Sequence, residues 1–208
     1  MRTPEISTTV AAALTEIKQH CDELRDLDGV LGDGDLGITI GAGADAVIAA
    51  LAVLADDATP TDLARAAAKA FANANPSTMA ALVAAGLLAG SKTWDNKSDI
   101  SVADAAEFTR AAGDAIAKRG KTALGDKTIL DAIMPVADAL AANPGDAHVA
   151  VDAAVNAAGR AVEETRGMQS KRGRAAWLQE RSIGVQDPGA TAFLRFMESW
   201  SKVMTSTR

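Results

Sequence analysis

Helix punctuation recurs along the whole chain, and no stretch of useful length alternates apolar and polar residues as a strand does. Thr3-Pro4 places a capping hydroxyl before a proline at the first helical position. Ile6, Val10, Leu14 and Ile17 follow at helical spacing, and this helix is expected to run to about Leu27. Seven more are expected: about Asp35 to Ala55, Thr61 to Ala74, Ser77 or Thr78 to Trp94, Ser101 to Gly120, Asp126 to Ala142, Asp146 to Ser170, and Pro188 almost to the end. Pro135 should kink or bend the sixth. Residues 1–208 therefore read as one all-α domain, an antiparallel up-and-down bundle.

Composition agrees. Hydrophobic residues make up 48% of the chain, enough for a sizeable core, and much of that share is alanine, the strongest helix former. Aromatics are 3% and tyrosine is absent, which disfavours a β-sandwich. The formal charge of −6 argues against nucleic acid as a partner. Cys21 is the single cysteine, so no internal disulfide can form. The first residues lack the apolar stretch of a secretion signal, and no apolar run reaches the roughly 20 residues that span a bilayer. A cytoplasmic chain with no membrane contact is the expectation. His20 and His148 lack partners at ligand spacing, and Met168 and the three tryptophans read as core.

Short loops make successive helices antiparallel, so the first, third, fifth and seventh connections fall at one end. Those connections carry the unusual residues. The first holds Asp28, Asp33 and Asp35 among glycines 29, 32, 34 and 37. The third is Asn75-Pro76-Ser77-Thr78. The fifth runs Gly120-Lys121-Thr122-Ala123-Leu124-Gly125-Asp126-Lys127-Thr128. The seventh holds Lys171-Arg172-Gly173-Arg174, Arg181 and Asp187-Pro188-Gly189. The even connections are ordinary turn chemistry, such as Asn143-Pro144-Gly145.

Each odd connection has a plain reading and a functional one. The aspartates form either a solvated turn or a set of hard oxygen ligands for magnesium, completed by substrate phosphates. Their spacing does not fit a calcium-binding hand, but it could bridge a metal pair. Ser77 and Thr78 either cap a helix or add hydroxyls to a phosphate site at its N-terminus. The glycine-flanked fifth connection either stops one helix and caps the next, or lets backbone approach a flat ligand over Thr128 or Ile129. The arginines are either a solvated face or a grip on phosphate or base. Asp187 either starts a helix or accepts a hydrogen bond from an adenine amino group or a ribose hydroxyl.

Taken together, these stretches resemble the nucleotide-binding L subunit of dihydroxyacetone kinase. The resemblance rests on Leu27-Asp28 with Gly32-Asp33-Gly34-Asp35-Leu36-Gly37, on Gly125-Asp126-Lys127-Thr128-Ile129-Leu130-Asp131, on Lys171-Arg172-Gly173-Arg174-Ala175, and on Glu180 through Ala190. It implies an eight-helix antiparallel barrel with ADP or ATP at one end. Asp28, Asp33 and Asp35 would hold two magnesium ions. Leu36, Gly37, Ile38, Thr39, Ser77 and Thr78 would line the phosphate side. Gly120, Ile129, Arg174, Asp187, Pro188 and Gly189 would surround the adenosine. In the family a separate K subunit or domain holds the sugar, and some members are rephosphorylated by a phosphoenolpyruvate-dependent phosphocarrier protein. Two places depart from the family's pattern. Leu36 stands where many members have histidine, and Asn75-Pro76-Ser77-Thr78-Met79 replaces a Gly-Gly-x-Ser-Gly loop.

The expected function is a phosphotransferase component acting on dihydroxyacetone or a related small ketose. The rival expectation is a non-catalytic nucleotide-binding module serving regulation or complex assembly.

Overall fold

A computed structural model describes residues 1–206. Its helices are α1 (Thr3–Ile17), α2 (Cys21–Leu31), α3 (Leu36–Ala52), α4 (Pro60–Ala74), α5 (Thr78–Ser91), α6 (Val102–Gly120), α7 (Leu130–Ala142), α8 (Ala147–Thr165) and α9 (Pro188–Ser206). Short 3-10 turns cover Lys18–His20, Lys92–Trp94 and Arg174–Ser182. No strand forms among the described residues; Arg2 and Asp99 make an isolated bridge. No described helix is long and apolar enough to cross a membrane.

Local chemistry explains where the helices begin. Thr59 and Asp62 form a capping box on α4, and Ser101 and Asp104 form another on α6. Ser77 accepts the Ala80 N–H to cap α5, and Asp146 accepts the His148 and Val149 N–H groups to cap α8. α6 ends after Gly120 with Lys121 in the left-handed conformation at φ 50°. α7 runs through Pro135 without a break, flanked by buried Ile133, Val136 and Ala137.

The expected first helix is two helices. A 3-10 turn at Lys18–His20 divides it, and α2 then continues to Leu31, past Gly29. The redirected backbone lets α3 come very close: a Cβ on Gly37 would stand 2.0 Å from the Cys21 carbonyl oxygen. Nothing larger than glycine fits there. The arm α1–α2 still counts as one pass of the bundle, so the expected alternation survives.

Each arm packs on the next, and α9 returns to pack on α1, which closes the ring. One core joins Ala132, Val136 and Leu140 of α7 to Ala150, Ala154 and Ala158 of α8 and to Leu194 and Met197 of α9. Ala150, Ala154 and Ala158 are fully buried, and their small side chains let the helix backbones approach closely. A second core joins Ile6, Val47, Leu51, Leu63, Phe71 and Trp94. A third, smaller cluster places Leu36 on Leu24 and Ala192, directly behind the aspartate-bearing connection. Leu36 is therefore a buried apolar support.

Candidate functional site

Asp28 lies in the last turn of α2, and Asp35 occupies the N-cap position of α3. Between them the chain turns sharply: the Gly32 N–H donates to the Asp28 carbonyl at 2.5 Å. A Cβ on Gly32 would stand 2.8 Å from Asp28 Oδ1, so glycine leaves room for that carboxylate to fold over the turn. Asp35 spends no side-chain bond on capping. Its carboxylate stays with the cluster, at the positive end of α3. The Leu36 N–H donates to Asp28 Oδ2 at 3.4 Å.

One oxygen from each of Asp28, Asp33 and Asp35 lies within 4.8 Å of the others. Burial pushes the Asp28 carboxyl above its ordinary range, and the charges of Asp33 and Asp35 add to that push against the Leu36 N–H. Three hard oxygens under mutual repulsion are a donor set that fits magnesium, with coordination left over for phosphate. Arg174 reaches in from the connection between α8 and α9, with its guanidinium 2.5 Å from Asp33 Oδ1.

The other odd connections are tied to the same end. Asn75, in the connection between α4 and α5, donates its side-chain N–H to the hydroxyl of buried Thr39 on α3 at 2.9 Å. A Cβ on Gly189 would stand 3.1 Å from the Met79 methyl and 3.3 Å from Ile129 Cβ, so the starts of α5, α7 and α9 meet there. Gly120 faces Leu82 of α5. Thr78 and Ile38 are exposed at their helix starts, Ser77 is half-buried, and Pro188 is buried. Asp187 is 8% exposed, and its Oδ2 accepts the Ala190 N–H at 2.7 Å, which caps α9. Burial pushes its carboxyl up to about 7.

Several groups at this end received no site role from the sequence. Asp126 is buried and accepts from the Ala123 N–H at 3.0 Å and from Arg172 Nε at 2.9 Å. Burial opposes its charge, but these donors prevail and hold its carboxyl below the usual range. Asp131 accepts from the Gly125 N–H at 2.6 Å and the Thr128 N–H at 2.7 Å, which bends the fifth connection onto α7. Lys127 is 2% exposed, where a lysine is rarely found. Trp177, expected in the core, is 83% exposed beside Arg174.

A family model described as the DAK2 domain matches residues 30–202. The chain belongs to the DAK2 domain family. Asp28 lies just ahead of the matched span, and the rest of the cluster lies within it. The chain is 33% identical over 208 residues to the L-erythrulose 1-kinase of Mycolicibacterium smegmatis, covering 97% of this chain and 36% of that protein. It is 31% identical over 174 residues to the ADP-binding subunit DhaL of the PEP-dependent dihydroxyacetone kinase 1 of Listeria innocua, covering 84% of this chain and 83% of that subunit. Thus the DAK2 chain spans about a third of the length of the first relative and most of the second. The dihydroxyacetone kinase of C. freundii, solved in complex with AMP-PNP and Mg2+, superposes with a TM-score of 0.74 at 19% identity, over 96% of this chain and 34% of that one. That likeness establishes a shared helical bundle.

Proposed function

We propose that this DAK2 chain is the nucleotide-binding phosphotransferase component of a dihydroxyacetone-type kinase. It would bind ADP or ATP with magnesium at the odd-loop end and serve phosphoryl transfer to a small ketose held by a K-type partner. The observation that carries the reading is the convergence of Asp28, Asp33 and Asp35 within 4.8 Å beside the guanidinium of Arg174. The names of the relatives, which include DhaL subunits and an erythrulose kinase, support the substrate class.

Asp28, Asp33 and Asp35 would hold the metal, one ion or two, and bound magnesium would neutralise phosphate oxygens. The chain's own part is positioning. The starts of α3 around Gly37 and Ile38 and of α5 at Thr78 would turn backbone N–H groups and positive dipole ends toward the phosphate side, with Leu36, Thr39 and Ser77 beside them. Arg174 would exchange its carboxylate partner for an anionic oxygen of the nucleotide. Ile129 and Gly189, already close to each other, would form the apolar wall for adenosine, with Gly120 and Pro188 around it. The phosphoryl donor would be exchangeable ATP or, as in a PEP-dependent system, a phosphocarrier protein acting on retained ADP.

The direct test is thermal melting with ADP alone, magnesium alone, and both. A ligand that binds the folded state at about a hundred times its Kd adds roughly 2.7 kcal/mol of stability. Stabilisation that needs ADP and magnesium together is the expected result. An unmoved melting temperature with both would sink the reading. Turnover in the presence of a K-type subunit, with ATP against a phosphocarrier mixture, then identifies the donor.

A further inference from the structure

Lys127 is the largest of the fully buried side chains, and neither its burial nor its partners follow from the bundle. Its backbone is left-handed at φ 61°, and its side chain runs into the base of the seventh connection. There the Nζ donates to the Met168 carbonyl at 3.1 Å and to the Ser182 carbonyl at 2.5 Å. These two carbonyls stand at opposite ends of the segment that carries Arg172, Arg174 and Trp177. One ammonium therefore pins both ends of the segment together.

Other bonds close the same neck. The Gly184 N–H donates to the Arg166 carbonyl at 2.7 Å, and the Ser170 N–H donates to the Ser182 hydroxyl at 2.9 Å. Asp126, next to Lys127, holds Arg172 at 2.9 Å. Beyond the neck the segment bends through two left-handed positions, Gly173 at φ 61° and Gln179 at φ 51°. A non-glycine residue such as Gln179 is strained at such an angle, so this bend persists only where its surroundings hold it. The Ser182 hydroxyl, at the neck, donates to the Gln179 carbonyl at 2.6 Å, and Arg174, within the bend, pairs with Asp33.

A buried ammonium is expensive unless it is well bonded, and its partners here are neutral carbonyls. Among the described residues no carboxylate forms an ion pair with Lys127. A methionine of similar length would fill the space, but it would leave both carbonyls without a donor. Such an arrangement makes sense where the position of the segment matters more than the stability of the bundle.

We propose that Lys127 is a positioning residue, holding the neck of the 168–182 segment shut so that Arg174 is presented to the aspartate cluster and to the nucleotide phosphates. The nucleotide half of this statement rests on the proposed function.

The test compares wild type with Lys127→Met and Lys127→Arg. Two readouts are needed. The first is tryptic cleavage after Arg172, Arg174 and Arg181, mapped by mass without nucleotide, with the cooperative melt as a control. The second is titration with magnesium-ADP. Lys127→Met is expected to speed cleavage within the segment while keeping a cooperative melt, and to weaken magnesium-ADP binding by about tenfold or more. Lys127→Arg retains donors for both carbonyls and is expected to recover most of the loss. If Lys127→Met does not fold, Lys127→Gln keeps an amide donor on a shorter, uncharged side chain and should show the same changes to a smaller degree. Cleavage at the wild-type rate in a folded variant overturns the neck. Faster cleavage with unchanged ADP affinity overturns its role in the site. A wild-type chain that does not bind magnesium-ADP overturns the proposed function instead, while the cleavage readout still judges the neck.

Discussion

The two ends of the bundle use the same residue types differently. At the even-loop end, aspartates and hydroxyls serve the helix beside them: Thr59 with Asp62, Ser101 with Asp104, Asp146 with the first turn of α8. Longer ties there are few: the Met1 ammonium fastens a terminus to the Ile100 carbonyl, and half-exposed Arg65 pairs with Asp95. At the odd-loop end, charged groups reach across the chain. Asp33 meets Arg174, Asp126 meets Arg172 46 positions away, and Lys127 meets Ser182 55 positions away. Asp35 sits at an N-cap and does not cap. Where polar groups are satisfied locally they start helices. Where they are held together against repulsion with little local capping, they form the set proposed above to take a ligand.

Asp33→Ala strikes this contrast hardest. Phosphoryl transfer depends almost wholly on positioning and charge neutralisation, so if Asp33 is a metal ligand as proposed, its loss should cut turnover on the order of a thousandfold or more. The magnesium-dependent stabilisation by ADP should vanish with it. Asp33 and Arg174 are both well exposed, at 42% and 62%, so the ligand-free melting temperature should barely move. A variant that keeps the ADP response would erase the distinction between the ends.

Asp187 offers a subtler break, since it belongs to the odd end yet caps a helix as the even-end residues do. Its carboxyl is pushed up to about 7, against 3.8 for an ordinary aspartate. Between those values the folded chain holds a proton that the unfolded chain has released. The contribution is therefore complete below about pH 4 and is lost as pH rises through 7. At about 1.36 kcal/mol per unit over roughly three units, the loss is about 4 kcal/mol. Asp187→Asn keeps an N-cap side chain and cannot ionise, so its melting temperature should fall less than that of wild type between pH 4 and 7. Parallel curves for the two proteins would show that the carboxylate titrates normally and that the cap is ordinary.

The contrast also explains what could be read in the sequence. Helix starts are local, and Ser77, Ser101 and Asp146 mark theirs, whereas α4 starts on a Thr59 cap and Pro60, just ahead of the Thr61 expected. Counting passes then placed the odd connections together, because one extra 3-10 turn changes no parity. That turn itself was invisible: Lys18-Gln19-His20 contains neither glycine nor proline, and the apolar spacing runs straight through it. The aspartate cluster was legible because like charges close in sequence demand a reason. The roles of Lys127 and Asp126 were not: Asp126 read as the start of the sixth helix and Lys127 as part of a matching stretch, because only partners far along the chain show that they are buried. Trp177 failed in the opposite sense, because nothing local tells a core indole from one carried outward on a bent loop.

The smallest effect is the control at the other end. Thr59 Oγ1 accepts the Asp62 N–H at 3.1 Å, and Asp62 Oδ2 in turn accepts the Thr59 N–H at 3.0 Å. Thr59→Ala removes the hydroxyl and leaves the backbone half of the box intact. The expected cost is about 1 kcal/mol, seen as a melting shift of roughly 2–4 °C for a chain of this size. Magnesium-ADP affinity should not change, because the cap touches nothing beyond its own turn. A parallel fall in affinity would mean that α4 carries strain from one end of the bundle to the other. The separation of a scaffold end from a ligand end would then fail, although each residue sits where the structure places it.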